Sequence, residues 1–582
     1  MAAPRFLGLL ARWRYGLLAL VCVALWLPGL LSLPALDRDE SRFAQSSRQM
    51  LDSGNYVDIR FGHVPRYKKP VGIYWLQAAA TAAAGLGDHS RIWTYRLPSL
   101  LGGLIAVWLT AWCGAVFSAE AGLLAGLLMA ASILLTAEAS IATTDAALLA
   151  ATLGMQGVLL RVYRAAREGL AMPATGAVLA GWAAMAIGIL LKGPVAPGVA
   201  AATLLALCVW DWRAHRPGEV EAGSPSGRAT HQTWRWMAAL KPALGVLVTL
   251  LLVAPWLVAI SLESHGAFLQ QSLGGDFASK VAGGQESHGA PPGYFLILSA
   301  LTFWPAILFI LPGIGLGVSR RAEPAVRFLL AWAGAWWVVV ELVPTKLPHY
   351  VLPSYPALAI LAALWLLTPG VAARGWRVWL ARIAPLQFLI GLLLLAAAPF
   401  ALIYQYGGGA PGIPVLVAEG VAAACGLAAL GLYLFRKTLW ALLPALLAAA
   451  ILIPTLTAAT APALDQLWLS RHAAALVARY REAGDPPPML AGYEEPSLVF
   501  ALGADTVLSD GRGAAELGAN AGGLALVQDD EKPAFLARLA ELEAGAAALG
   551  DLSGMNYSRG RAVHITLYRI APAHPVTMPI VH

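Results

Sequence analysis

The chain has 582 residues, 58% of them hydrophobic and only 13% charged, with a mean hydropathy of +0.66. Soluble domains carry nearly twice that charged fraction, so an ordinary soluble protein is excluded. The net charge of +7 is spread through short loops between apolar runs, which is not a nucleic-acid footprint.

Windowed hydropathy predicts about thirteen membrane-spanning helices. The chain starts with basic residues (Arg5, Arg12, Arg14) that lead into an apolar run at 16–34. No small-residue cleavage site follows, so this run reads as an uncleaved first span. A long loop at 35–91 comes next. Spans then fall at 92–116, 120–137, 143–163, 174–191, 195–210 and 242–261, with a Gly/Ser/Pro/Arg-rich loop at 217–232. A second long loop at 262–293 precedes spans at 294–317, 327–343, 353–367, 386–404, 414–435 and 439–457. Beyond 458 the composition changes. Charged helical patterns at 467–483 and 532–547 and strand-like runs at 524–527 and 564–568 predict a small soluble α/β domain. The expected architecture is a polytopic α-helical membrane domain over 1–457 followed by a soluble domain over 458–582. Cys22, Cys113, Cys208 and Cys425 all lie in apolar runs, so no disulfide framework is expected.

Orientation follows from the short loops. Arg161, Arg164 and Arg167 follow the fourth span; Arg320, Arg321 and Arg327 lie between the eighth and ninth. Arg374, Arg377 and Arg382 precede the eleventh, and Arg436 and Lys437 precede the last. With an odd span count these segments share a side with the N-terminus, and the positive-inside rule makes it cytoplasmic. The loops at 35–91 and 262–293, the short loops at 138–145, 192–194 and 344–352, and the tail then face the periplasm.

In the first loop, Phe43, Ser47, Met50 and Leu51 share one helical face, and Arg42, Gln45, Arg48 and Gln49 share another. This pattern predicts a short interfacial helix closed by Gly54. Asp39 and Glu40 stand at its start, either as cap and dipole partner or as carboxylates that meet a substrate. Lys68 and Lys69 precede Pro70, a stiff junction beside Tyr74 and Trp75. They are snorkelling anchors or phosphate ligands.

The stretch DESRFAQSSRQMLDSGNY, followed by KKPVGIYWLQ, resembles the bacterial membrane glycosyltransferases related to protein O-mannosyltransferases, and among them the lipid A aminoarabinose transferases. The matching positions are Asp39, Glu40, Arg42 and Phe43, then Gly54, Asn55 and Tyr56, then Lys69, Pro70, Tyr74 and Trp75. SIATTDAALL resembles a second acidic site at Asp145, and LLKGPVAPG a Lys-Gly-Pro turn at Lys192. TKLPHYVLPSYPALAIL resembles a segment carrying Lys346, His349 and Tyr350, and GGQESHGAPPGYF one carrying His288. Two positions depart from the family. Lys68 stands where an acidic residue is common, and an expected loop arginine has only Lys280 as its candidate counterpart.

The resemblance implies a GT-C fold, and together with the loop charges the expectation is a multi-pass protein of the bacterial inner membrane, with its active face and its C-terminal domain periplasmic. It implies transfer of a sugar from a polyprenyl-phosphate donor to an envelope acceptor: a lipid A-like glycolipid, a glycan or a protein. On that expectation Asp39 and Asp145 are catalytic. Glu40, Arg42, Lys69, Tyr74, Lys192, Lys280, His288, Lys346, His349 and Tyr350 bind substrate. Membrane lipids are expected partners, nucleic acid is not, and a monomer is expected. Each site has a plainer alternative: Asp145 as a helix cap, Lys192 as a dipole partner, and Lys346, His349 and Tyr350 as interfacial anchors. His63, His265, His288 and His349 with Glu40 or Glu286 form the one grouping that could take a divalent metal. Their spacing fits no standard motif, and no cofactor is assigned. The rival functional classes are a secondary transporter and a non-catalytic envelope scaffold. Span interiors nearly free of charge and the absence of repeat symmetry weigh against the transporter.

Overall fold

A computed structural model describes residues 2–214, 234–272, 289–368 and 374–573. The predicted loop at 217–232 lies outside them. Eleven helices among the described residues are long and apolar enough to cross a membrane, so the chain is a multi-pass membrane protein. Two further predicted spans are broken. The run at 120–137 is the pair Ala119–Ala130 and Ile133–Ser140, bent by 65°. Ser132 makes the bend, because its hydroxyl accepts from the Leu135 N–H and starts a new helix. The run at 294–317 is split into Tyr294–Thr302 and Ile307–Ser319 around Trp304–Pro305, where Pro305 has no N–H to continue a helical ladder.

The Asp145–Glu168 helix orients the bundle. Its 24 residues rise roughly 36 Å. Near its C-terminal end Arg161 donates to Trp112 O and stacks on the Trp112 ring at 3.3 Å, and Arg164 donates to Val116 O. Arg167 and Arg327 converge there on the buried carboxylate of Asp211 at 2.5 and 2.9 Å. Two of the arginine-rich loops therefore meet at one end of the bundle. Asp145 begins the same helix at the other end.

In the first loop, Asp39–Ser53 is helical, and Gly54 ends it at φ +71 with its N–H on Met50 O. Protein flanks this helix on two sides. It is packed between the Gly72–Ala84 helix, through a Ser47–Gln77 hydrogen bond of 2.8 Å, and the Pro496–Leu502 helix of the tail, through Arg48 to Phe500 O at 3.1 Å. Gln45, assigned to the polar face, is consequently fully buried. A two-stranded hairpin, β1 (Arg60–Phe61) and β2 (Val64–Pro65), is fastened to this helix by both ends of the Gln49 amide, on Gly62. It returns the chain so that Arg66–Lys69 lie over the helix start.

The tail forms a five-stranded sheet of order β4-β3-β5-β7-β6, with β3 Met489–Ala491, β4 Val507–Ser509, β5 Gly523–Gln528, β6 Ala546–Asn556 and β7 Arg561–Ile570. β3 runs parallel to β4 and β5, while β7 runs antiparallel to β5 and β6. Alternation along β5 sends Leu524 and Leu526 towards the Leu469–Tyr480 helix, and Ala525 and Val527 towards Phe535 on the other face. The helix predicted over 532–547 stops at Glu541. The alanines from Ala546 onward are good helix formers, but ten paired positions along β7 hold them in a strand.

Candidate active site

The start of the Asp39–Ser53 helix, the hairpin return and three bundle segments enclose a cleft of about 370 Å³. Asp39, Arg42, Lys69, Asp145, Lys192, His349 and Tyr350 line it together, although they span more than 300 positions of sequence. Gly72 explains part of this convergence. A Cβ there would lie 2.7 Å from Leu190 O, so glycine lets the chain just after Lys69–Pro70 press against the helix that ends in Lys192.

Asp39 is the first helical residue and its side chain is 68% exposed. It makes no capping bond; its nearest cation is Arg66, at 3.8 Å. Arg66 also lies over the Phe43 ring, 5.6 Å from its centre. On the far wall the buried Asp145 Oδ1 accepts from Lys192 Nζ at 2.7 Å, and its Oδ2 accepts from Thr144 at 3.1 Å. The Lys192 ammonium also faces the Tyr350 ring at 5.7 Å. His349 lies between two carboxylates, Glu138 at 3.5 Å and Asp145 at 3.9 Å. The cleft carries six cationic side chains and five carboxylates. One of those carboxylates, Glu40, is neutralised by Arg96 behind the wall, so the remainder favours an anion.

Three expected ligands have other roles. Glu40 is buried, and its oxygens accept from both Arg96 Nε (2.8 Å) and Nη2 (2.9 Å), and from the backbone N–H groups of Leu36 and Ala142 at 2.8 Å. Both of its oxygens are engaged by these groups, so Glu40 acts as a clamp on the chain at the cleft edge. Lys346 is turned away from the cleft. Its ammonium donates to the carbonyls of Val340, Glu341 and Val343, the exposed end of the Pro324–Leu342 helix. Tyr74 is wholly buried, its ring 5.5 Å from that of Phe43, and it does not line the cleft. Lys280 and His288 lie outside the described residues.

The predicted metal grouping is not assembled where it can be followed. His63 sits in the hairpin turn, His265 is exposed, and Glu40 is held by Arg96; Glu286 and His288 lie outside the described residues. Instead Glu138, Asp145 and His349 offer ligand atoms within 4.8 Å of one another. Two carboxylates and an imidazole suit a divalent cation, which would compete with Lys192 for Asp145. Sequence reasoning missed Glu138 and Arg66. A lone glutamate at the end of an apolar run was a usable signal for the first. The second depended on the hairpin, which no periodicity announces.

No protein-family model matches the sequence. The chain is 26% identical over 385 residues to the undecaprenyl phosphate-alpha-4-amino-4-deoxy-L-arabinose arabinosyl transferase of Aeromonas salmonicida, an alignment covering 64% of each chain. It is 26% identical over 329 residues to the transferase of the same name from Edwardsiella ictaluri, covering 56% of this chain and 54% of the relative. The chain thus spans less than two thirds of the length of these relatives. Among solved structures it resembles ArnT from Cupriavidus metallidurans bound to undecaprenyl phosphate, with TM-score 0.71, 21% identity, and 94% and 97% of the two chains covered. It resembles more distantly the archaeal oligosaccharyltransferase AglB from Archaeoglobus fulgidus in complex with an inhibitory peptide and a dolichol-phosphate, with TM-score 0.51, 12% identity, and 92% and 69% covered. The chain has the GT-C membrane-glycosyltransferase fold and is a sequence relative of the aminoarabinose transferases.

Proposed function

We propose that this protein transfers a sugar from a polyprenyl-phosphate donor to an envelope acceptor of the lipid A type, at the periplasmic face of the bacterial inner membrane. The observation that carries the reading is the cleft itself. An exposed carboxylate, Asp39, stands beside Arg66, Lys68 and Lys69, opposite the Asp145–Lys192 pair, where the spans end. A lipid-linked sugar presents its phosphate at that depth while its tail stays in lipid. The arginine-rich loops at the other end of the bundle support a cytoplasmic assignment for that end.

In this reading Lys69 and Arg66 hold the donor phosphate, as a point charge and a fork respectively. The acceptor oxygen attacks the anomeric carbon, the bond from that carbon to the phosphate oxygen breaks, and polyprenyl phosphate leaves with the electron pair. Cations beside the leaving oxygen stabilise the charge that develops on it. An acceptor hydroxyl gives its proton to Asp39; an acceptor phosphate has none to give, and Asp39 then only orients it. Asp145, held by Lys192 and Thr144, positions the sugar. A cation bound at Glu138, Asp145 and His349 would add positive charge on this wall.

The test is lipid analysis with and without the gene. Accumulation of a polyprenyl-phosphate sugar together with loss of that sugar from the envelope is the expected result. An unchanged lipid pool and unchanged envelope sugars would sink the reading.

A further inference from the structure

The backbone that carries Asp39 is fastened on both sides, and one of the fasteners belongs to the C-terminal sheet domain. On the membrane side, Glu40 is locked to Arg96. On the other side the turn between β6 and β7 reaches over the chain. The Asp37 N–H donates to the Tyr557 hydroxyl at 2.7 Å, and the Arg38 guanidinium donates to Ser558 O. Ser497, on the tail helix Pro496–Leu502, donates to the Asp37 carboxylate, and its hydroxyl is bonded in turn to Ser470 at 2.6 Å. The turn is itself anchored, because Asn556 donates to the buried Glu495 at 2.7 Å. Between the two fasteners Arg38 adopts φ +63 and ψ −113, a conformation L residues rarely hold unless their surroundings impose it. Asp39 is the next residue. Its own side chain has one distant ion-pair contact, so the place from which its carboxylate projects is set by this backbone.

We infer that the C-terminal domain is a positioning element for Asp39, acting through a clasp of Asp37 and Arg38 on Tyr557 and Ser558. The inference rests on the proposed transfer reaction for its catalytic consequence, but not for its structural one. Pre-set geometry matters because a reacting group displaced by about 1 Å can lose on the order of a hundredfold in rate. Tyr557 and Ser558 are not among the residues that line the cleft, and they act through residues 37 and 38.

The test uses the full chain in detergent or nanodiscs, with Tyr557→Phe and Ser497→Ala, neither of which lines the cleft, and with Ser497→Thr as the conservative control that keeps a hydroxyl for Asp37. Two readouts are taken: amide hydrogen exchange of residues 36–42, and transfer kinetics with the lipid-linked donor. The expected result is faster exchange in that segment for Tyr557→Phe and Ser497→Ala at an unchanged unfolding temperature. With it, kcat falls roughly tenfold while the donor KM stays within about twofold, and Ser497→Thr recovers most of the loss. Unchanged exchange overturns the clasp whatever the activity. Faster exchange with unchanged kcat overturns its positioning role. If the unaltered protein transfers no sugar, the transfer reading fails, and the exchange readout alone upholds or overturns the clasp.

Discussion

Replacing Glu40 by Gln separates a clamp from a ligand. Arg96 is wholly buried, and it donates to Leu30, Leu33 and Pro34 carbonyls at 2.7–2.9 Å as well as to both Glu40 oxygens. Glutamine keeps one acceptor but removes the carboxylate charge that faces the guanidinium. Breaking a buried pair by removing one partner costs about 3–5 kcal/mol. The three retained carbonyls put this case at the lower end, about 3 kcal/mol. The assay is reversible unfolding in mixed micelles for Glu40→Gln, Arg96→Gln and the double variant. A clamp gives a double variant less destabilised than the sum of the singles by at least about 1 kcal/mol, since removing both charges leaves none stranded. Additive costs, or a Glu40→Gln variant of normal stability with a changed donor KM alone, would refute the clamp and restore Glu40 as a substrate ligand.

Asp39→Asn should lose nearly all transfer activity with an unfolding midpoint within about 0.5 kcal/mol of wild type, because its carboxylate is mostly exposed and its one contact is long; retained kcat at normal abundance would remove it from the chemistry. Lys346→Met should destabilise by about 1–3 kcal/mol, since three helix-end carbonyls lose their donor, while donor KM is unchanged; a KM effect without a stability effect would return it to the cleft. Burial raises the Asp37 carboxyl from 3.8 to about 6, with Glu495 adding to the rise and the Ser497 hydroxyl opposing it. The native state then keeps that proton between about pH 4 and 6 where the unfolded chain has lost it. The stability it contributes is full below pH 4 and lost as pH rises through 6, by roughly 1–3 kcal/mol. Unfolding midpoints at pH 4.5 and 7.5 should therefore converge in Asp37→Asn; an unaltered pH slope would refute the assignment.

Hydropathy located every span that the described residues contain, because a run of about twenty apolar residues has few alternatives in lipid. The breaks inside two of them escaped it: Ser132 and Pro305 are small local events inside runs of unchanged average hydropathy. The first-loop helix was legible in its periodicity and its Gly54 stop, but its burial was not. Gln45 and Arg48 look solvent-facing until a helix 450 residues later covers them. The same long-range docking hid the clasp at Asp37 and Arg38. Neither Tyr557 nor Ser497 belongs to any motif, and only the fold of the tail brings them to residue 37.

Lys192 and Lys346 occupy similar places in the sequence, but only Lys192 lines the cleft. Asp145 opens a helix and Lys192 closes one, each at the terminus its charge suits. Lys346 follows the end of a third helix and satisfies the same rule. Locally the two lysines are equivalent: both follow an apolar span and both precede a proline within a few positions. Their fates diverge because of what stands across from them. The helix that ends in Lys192 lies beside the one that begins at Asp145, so the ammonium reaches across 2.7 Å to a carboxylate on the cleft wall. Among the described residues Lys346 folds back on its own helix end, with the Glu341 carboxylate no closer than 3.8 Å. A charge at a span end is therefore cheap to keep wherever the dipole permits. It becomes part of a reactive site only where a second span of opposite direction ends beside it, and that adjacency is a property of the bundle.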